Sequence, residues 1–102
     1  MVVWKKELEF DDATNMAYIW CSWDAKLLTV QNQGGKAVAW FLNDPNKDQE
    51  FKLAVHIVPT GKDPNPGYSE YVSTAQFNGG LYVFHFFTND VKEGKYETGD
   101  SV

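Results

Sequence analysis

The sequence predicts an all-β protein, a small antiparallel sandwich or barrel of about six to seven strands. Three observations carry that expectation. Apolar and polar residues alternate over short runs. No stretch keeps the period of a helix. Paired apolar runs are joined by double glycines at Gly34-Gly35 and Gly79-Gly80. A chain of 102 residues suffices for one core without staples. It divides into a single β domain over 1–88 and an acidic C-terminal stretch over 89–102, expected to be a mobile tail because its apolar period is lost.

The first predicted strand, Val3 to Phe10, sets Trp4, Lys6, Leu8 and Phe10 against Val3, Lys5, Glu7 and Glu9, a pattern of one covered and one wet face. Asp11 to Asn15 is a turn cluster whose short polar side chains bond their own backbone. Met16 to Trp20 follows as a short strand, and Cys21 to Asp24 as a loop. Leu27 to Leu42 reads as the central hairpin. Two glycines at its tip accept the positive φ that a two-residue primed turn demands. That turn would place Val30 opposite Ala39, Thr29 opposite Trp40, Leu28 opposite Phe41 and Leu27 opposite Leu42. Both faces are then mostly apolar, which predicts a place inside the packed structure and a buried Trp40.

Beyond the hairpin, Asn43 to Asp48 is a polar loop with proline at a turn position. Phe51 to Val58 alternates as a strand that Pro59 ends, because proline cannot donate to the ladder. Thr60 to Ser69, rich in proline and glycine, is the longest loop and a candidate recognition segment. Glu70 to Phe77 and Leu81 to Thr88 form a second hairpin about Asn78-Gly79-Gly80.

The formal net charge is -5, and only nine basic residues are scattered along the chain, which argues against nucleic acid as a ligand. The single cysteine, Cys21, forms no internal disulfide. No apolar run approaches the roughly 20 residues of a membrane-spanning helix. The chain opens directly on an alternating strand, so a soluble cytoplasmic protein is expected.

Catalytic patterns are missing. His56 and His85 lie in predicted strands with no metal-ligand spacing between them and Cys21, so no metal or cofactor is expected. The glycine pairs lack the lysine and following helix of a phosphate loop. Nothing pairs a nucleophile with a base, and no enzyme is expected. Recognition is the better-supported expectation. Four tryptophans, five tyrosines and seven phenylalanines exceed what so small a core readily holds, which leaves rings for a partner. Tyr18, Trp20 and Trp23 crowd one short segment, and core packing and a partner-facing patch are both open readings. Tyr68 and Tyr71, around the end of the long loop, form a second candidate group. His85 shares its strand face with Leu81, Val83 and Phe87 and is expected to be a hydrogen-bonded interior ring or the wall of an aromatic pocket.

The order Trp4-Lys5, Ala25-Lys26-Leu27-Leu28, Val30-Gln31-Asn32-Gln33 with Gly35, then Trp40, Leu42 and Asp44-Pro45, resembles a family of small uncharacterised bacteriophage and prophage proteins, a domain of unknown function. The likeness continues through Thr60-Gly61, Tyr71, Thr74, Gln76, Gly79-Gly80-Leu81 and Val83-Phe84-His85. Two departures stand out. Trp20-Cys21-Ser22-Trp23 replaces the family's Met-Pro-Gly type of turn, and the acidic stretch past Phe87 is one the family usually lacks. The resemblance implies a phage product working in the host cytoplasm, and it supplies no catalytic residues. The leading expectation is an accessory protein that binds and blocks a host protein, such as a defence component. The alternatives are a binder that sequesters a small molecule or nucleotide, and a structural or assembly factor of the virion. Exposed strand edges add a homodimer to the expectations.

Overall fold

Gly34 and Gly35 adopt φ of 63° and 87° and turn one strand into the next at the predicted place. The computed structural model describes residues 1–64, 66–68, 70–89 and 93–94. Seven strands and a two-residue eighth run through them: β1 (Val2–Glu7), β2 (Met16–Cys21), β3 (Lys26–Gln33), β4 (Lys36–Asn43), β5 (Phe51–Pro59), β6 (Glu70–Phe77), β7 (Tyr82–Thr88) and β8 (Glu93–Gly94). They form two antiparallel sheets, a three-stranded one in the order β1-β4-β3 and a larger one in the order β2-β5-β7-β6, with β8 beside β5. The architecture is sandwich-like and not a closed barrel. Residues 89–102, expected to be a tail, lie outside the described residues except for Asn89, whose amide donates to the Gly67 carbonyl at 3.3 Å, and Glu93–Gly94, which pair with Lys52 and Phe51.

The core lies between the sheets. Alternation sends Ala17, Ile19 and Cys21 of β2, Leu53 and Val55 of β5, and Phe86 of β7 inward. Leu27, Val30, Ala39 and Phe41 meet them from the hairpin. The predicted hairpin register holds for Val30 with Ala39 and Thr29 with Trp40, then slips by one residue. Leu28 is the extra residue of a bulge, so Leu27 faces Phe41 and turns inward while Leu28 is exposed. A second correction concerns the hairpin's other face. β4 is central in its sheet, yet only one side of that sheet meets the core. Trp40 and Leu42 point outward and are half-buried, and long polar side chains roof Val38, with Lys5 reaching Gln33 at 3.2 Å and Lys36 reaching Glu7 at 3.4 Å.

The sheets join along one side only, where β3 meets β6. Ser73 Oγ accepts the Val30 N–H at 3.0 Å and donates to the Val30 carbonyl at 2.7 Å. Asn32 Nδ2 donates to the Gln76 carbonyl at 2.8 Å on the same side. With β3 against β6, three strands fall one short of four, and the opposite side is left open between β1 and β2.

Candidate recognition surface on the open side of the sandwich

Residues Met16, Tyr18 and Trp20 alternate with the buried positions of β2 and therefore point away from the core. Tyr18 is 43% exposed, Trp20 50% and Trp23, in the loop that follows, 61%. The structure thus decides between core and surface for all three: they are surface. Lysines lie against these rings. Lys52 Nζ sits 4.8 Å from the Tyr18 ring centre and 5.9 Å from that of Trp20, and Lys47 Nζ sits 5.0 Å from Trp23. Each is within cation–π range, which holds the rings in place and polarises the patch.

A buried polar knot fixes the loop that carries Trp23. Ser22 and Asn43 are fully buried. Asn43 Oδ1 accepts the Ser22 N–H at 2.8 Å, and Asn43 Nδ2 donates to Gln49 at 2.7 Å. Ser22 Oγ donates to Asp24 at 2.8 Å, and Asp24 takes the Lys47 ammonium at 2.7 Å. The hydrogen bond from Lys47, then that from Ser22, holds the Asp24 carboxyl below the usual carboxylate range, and Asp24 in turn raises Lys47. Both remain charged at neutral pH, so Lys47 stays a cation beside Trp23.

Between the free sides of β1 and β2 opens a cleft of about 250 Å³, lined by Trp4, Lys5, Lys6, Ile19, Trp20 and Phe41. Trp4 meets Phe41 edge-on, ring centres 6.3 Å apart. Sequence reasoning missed this feature. Trp4 and Trp20 stand in strands of different sheets, and nothing local signals that they border one cleft. Lys47 and Lys52 were also missed as parts of the patch, because they are distant in the chain from the rings they cover.

The second candidate group lies on the same outer face of the larger sheet, toward its other end. Register places Met16, His56, Phe87 and Tyr71 in one row across four strands. Tyr68 descends from the long loop onto that row, its ring 5.0 Å from His56 and its hydroxyl donating to Met16 Sδ. It thereby divides the face, and Tyr71 and His85 do not join Tyr18 and Trp20 in a single site. Burial lowers the His56 pKa, and its Nδ1 finds no hydrogen-bond partner among the described residues.

His85 belongs to a chain of hydroxyls. Tyr71 OH lies 2.7 Å from Thr74 Oγ1, which lies 2.9 Å from His85 Nδ1, and His85 Nε2 lies 2.8 Å from Thr60 Oγ1. Thr60 Oγ1 also lies 3.2 Å from the Val83 carbonyl, and the direction of each bond in the chain follows the tautomer of His85. In either tautomer one ring nitrogen donates and the other accepts, so Thr60 and Thr74 engage both. Both ring nitrogens are occupied, which makes His85 a hydrogen-bonded strut and leaves it no nitrogen for a metal or a nucleophile. Among the described residues no three His, Cys, Asp or Glu side chains converge to hold a metal ion, and no helix is long and apolar enough to cross a membrane.

Residues 1–97 match the family model described as Domain of unknown function (DUF7352). The match runs past Phe87, so most of the acidic stretch falls within the span of that family and is not an addition peculiar to this chain. No curated protein matches the chain, and no solved structure does. With nearly its whole length covered, the chain belongs to this family of unknown function.

Proposed function

We propose that this protein is a binding module without catalytic activity, which meets a partner protein through Tyr18, Trp20 and Trp23 and acts by occluding that partner. The observation that supports it most is the exposure of three large rings on β2 and the loop that follows it, Tyr18 and Trp20 against Lys52 and Trp23 against Lys47. Exposed rings of this size lose water favourably only when something covers them, and such anchors dominate the energetics of protein interfaces. On the resemblance to phage and prophage proteins, the partner is a protein of the bacterial host and the setting is the host cytoplasm. The test is capture from host lysate by the wild-type chain and by a Trp20→Ser/Trp23→Ser variant. A stoichiometric partner is expected with wild type at low and high salt, and its loss with the variant while the thermal melt stays unchanged. Recovery of no stoichiometric partner overturns the proposal.

The cleft favours a second reading. Trp4 and Trp20 offer ring surface and Lys6, on the inward side of β1, offers charge, a combination suited to a nucleotide held by stacking and phosphate pairing. This moves the small-molecule alternative away from His85 and Tyr71, whose polar atoms are already engaged. A thermal-shift panel of nucleotides tests it, since a ligand at 100 times its dissociation constant adds about 2.7 kcal/mol of stability.

A further inference from the structure

The strand orders of the two sheets end on β1, β3, β2 and β6, and these four edges differ. Those of β3 and β6 are turned toward each other and stitched by Ser73 and Asn32. The β1 edge carries Lys5, Lys6 and Glu7 on six exposed residues, with Lys6 on the side that faces the other sheet. Charges on an edge, and inward ones above all, are how sheets refuse another strand. Self-pairing of β1 would also set lysine near lysine. The β2 edge, Met16-Ala17-Tyr18-Ile19-Trp20-Cys21, has no charge, no proline and no break in its register with β5. It is the unguarded edge.

Its backbone phase is fixed by its neighbours. Ile57 N–H donates to the Asn15 carbonyl at 3.0 Å, so Ala17, Ile19 and Cys21 continue in the same phase toward β5. The N–H and C=O of Met16, Tyr18 and Trp20 therefore point away from the sheet. Asp11 N–H takes the Met16 carbonyl at 3.0 Å, which agrees with this phase and closes that end. Tyr18 and Trp20 keep two donors and two acceptors aimed outward.

We infer that a second copy of this chain pairs there, β2 antiparallel to β2 about a two-fold axis at Ile19. That register places Tyr18 opposite Trp20 of the second copy, and Trp20 opposite its Tyr18. Both are hydrogen-bonded pairs, and together they use all four open groups. On the inner side Ile19 meets Ile19, and Ala17 meets Cys21. No like charges oppose one another. β2 of the second copy ends at Cys21, one residue before the position that Asp11 already fills. Pairing through backbone edges leaves the ring faces of Tyr18 and Trp20 outward, so the two larger sheets become one continuous sheet with an aromatic stripe at its centre. The interface is isologous, as a closed dimer requires. It stands whether or not that stripe meets another protein.

The test is light scattering and amide exchange on the full chain from micromolar to millimolar concentration. The expected mass is twice the 11.6 kDa of the chain. Amides of Tyr18 and Trp20 are expected to gain protection as concentration rises, while that of Lys5, at the guarded edge, does not. Tyr18→Lys/Trp20→Lys and Tyr18→Glu/Trp20→Glu variants are each expected to be monomeric, and their equimolar mixture to recover the dimer by placing lysine opposite glutamate. A wild-type chain that stays at 11.6 kDa at millimolar concentration overturns the inference and leaves this edge to a strand of another protein. So does a dimer in which the Tyr18 and Trp20 amides exchange freely. Neither result touches lysate capture, which reads side chains and not the backbone edge.

Discussion

A buried histidine under a tyrosine ring is the residue whose environment has the clearest consequence in solution. His56 is buried, its Nδ1 has no hydrogen-bond partner among the described residues, and Tyr68 packs over it. Burial favours the neutral imidazole and lowers its pKa in the fold. The unfolded chain keeps the ordinary value near 6.5, so between the two values the unfolded state binds more protons and stability rises with pH. The contribution is complete above the unfolded value and is lost as pH falls toward the folded one. Urea midpoints at about pH 7.5 and about pH 5.5 are expected to drop on acidification, and to drop less in His56→Phe, which keeps a ring and loses the proton. Equal drops in both proteins would show that His56 titrates as it does unfolded. His85 contrasts with it, since hydroxyls on both sides satisfy its ring. The sequence places both histidines in strands, but partners that distinguish them come from Thr60, Thr74 and Tyr68, and a local pattern cannot supply those.

Elements were legible where the signal is local. The β3–β4 hairpin, its turn and half its register follow from two glycines and an alternation. Asn15 and Asn78 take φ of 57° and 52°, which shows that this chain uses asparagine for the left-handed region too. Gly34→Asn is therefore expected to be tolerated within about 0.5 kcal/mol, whereas Gly35→Ala, at φ 87°, is expected to cost about 1–2 kcal/mol although its Cβ would meet nothing. Chemical denaturation of both variants decides the matter, and an unchanged Gly35→Ala midpoint would mean that the turn relaxes to another type. The bulge at Leu28 was not legible. Leu27 and Leu28 are chemically identical, so no local pattern says which one turns inward; β6 bulges as well, between Tyr71 and Ser73. A bulge shifts every later side chain by one position, so it explains why Leu28 and not Leu27 came out exposed.

At the scale of the molecule, strand pairing decides where the rings go. β1 joins β4 and β2 joins β5 across long stretches of chain, and those pairings, not periodicity, create the cleft and leave Tyr18 and Trp20 on an outer face. Where the sandwich is shut, at β3/β6, one serine links the two sheets directly. Ser73 satisfies both the N–H and the C=O of Val30, at 3.0 and 2.7 Å, and Val30 is fully buried. Alanine at this position removes both bonds and leaves two buried backbone groups unpaired, a loss of about 2–4 kcal/mol. Because Val30 sits where the sheets meet, the loss should be felt as a parting of the sheets before either sheet melts. In Ser73→Ala, native-state exchange is expected to speed up at Val30 while Ala39, held within its own sheet by its pairing with Lys6 of β1, keeps its protection. Uniform acceleration at both amides would mean that the two sheets open as one unit, and that their joint at β3 and β6 has no separate stability.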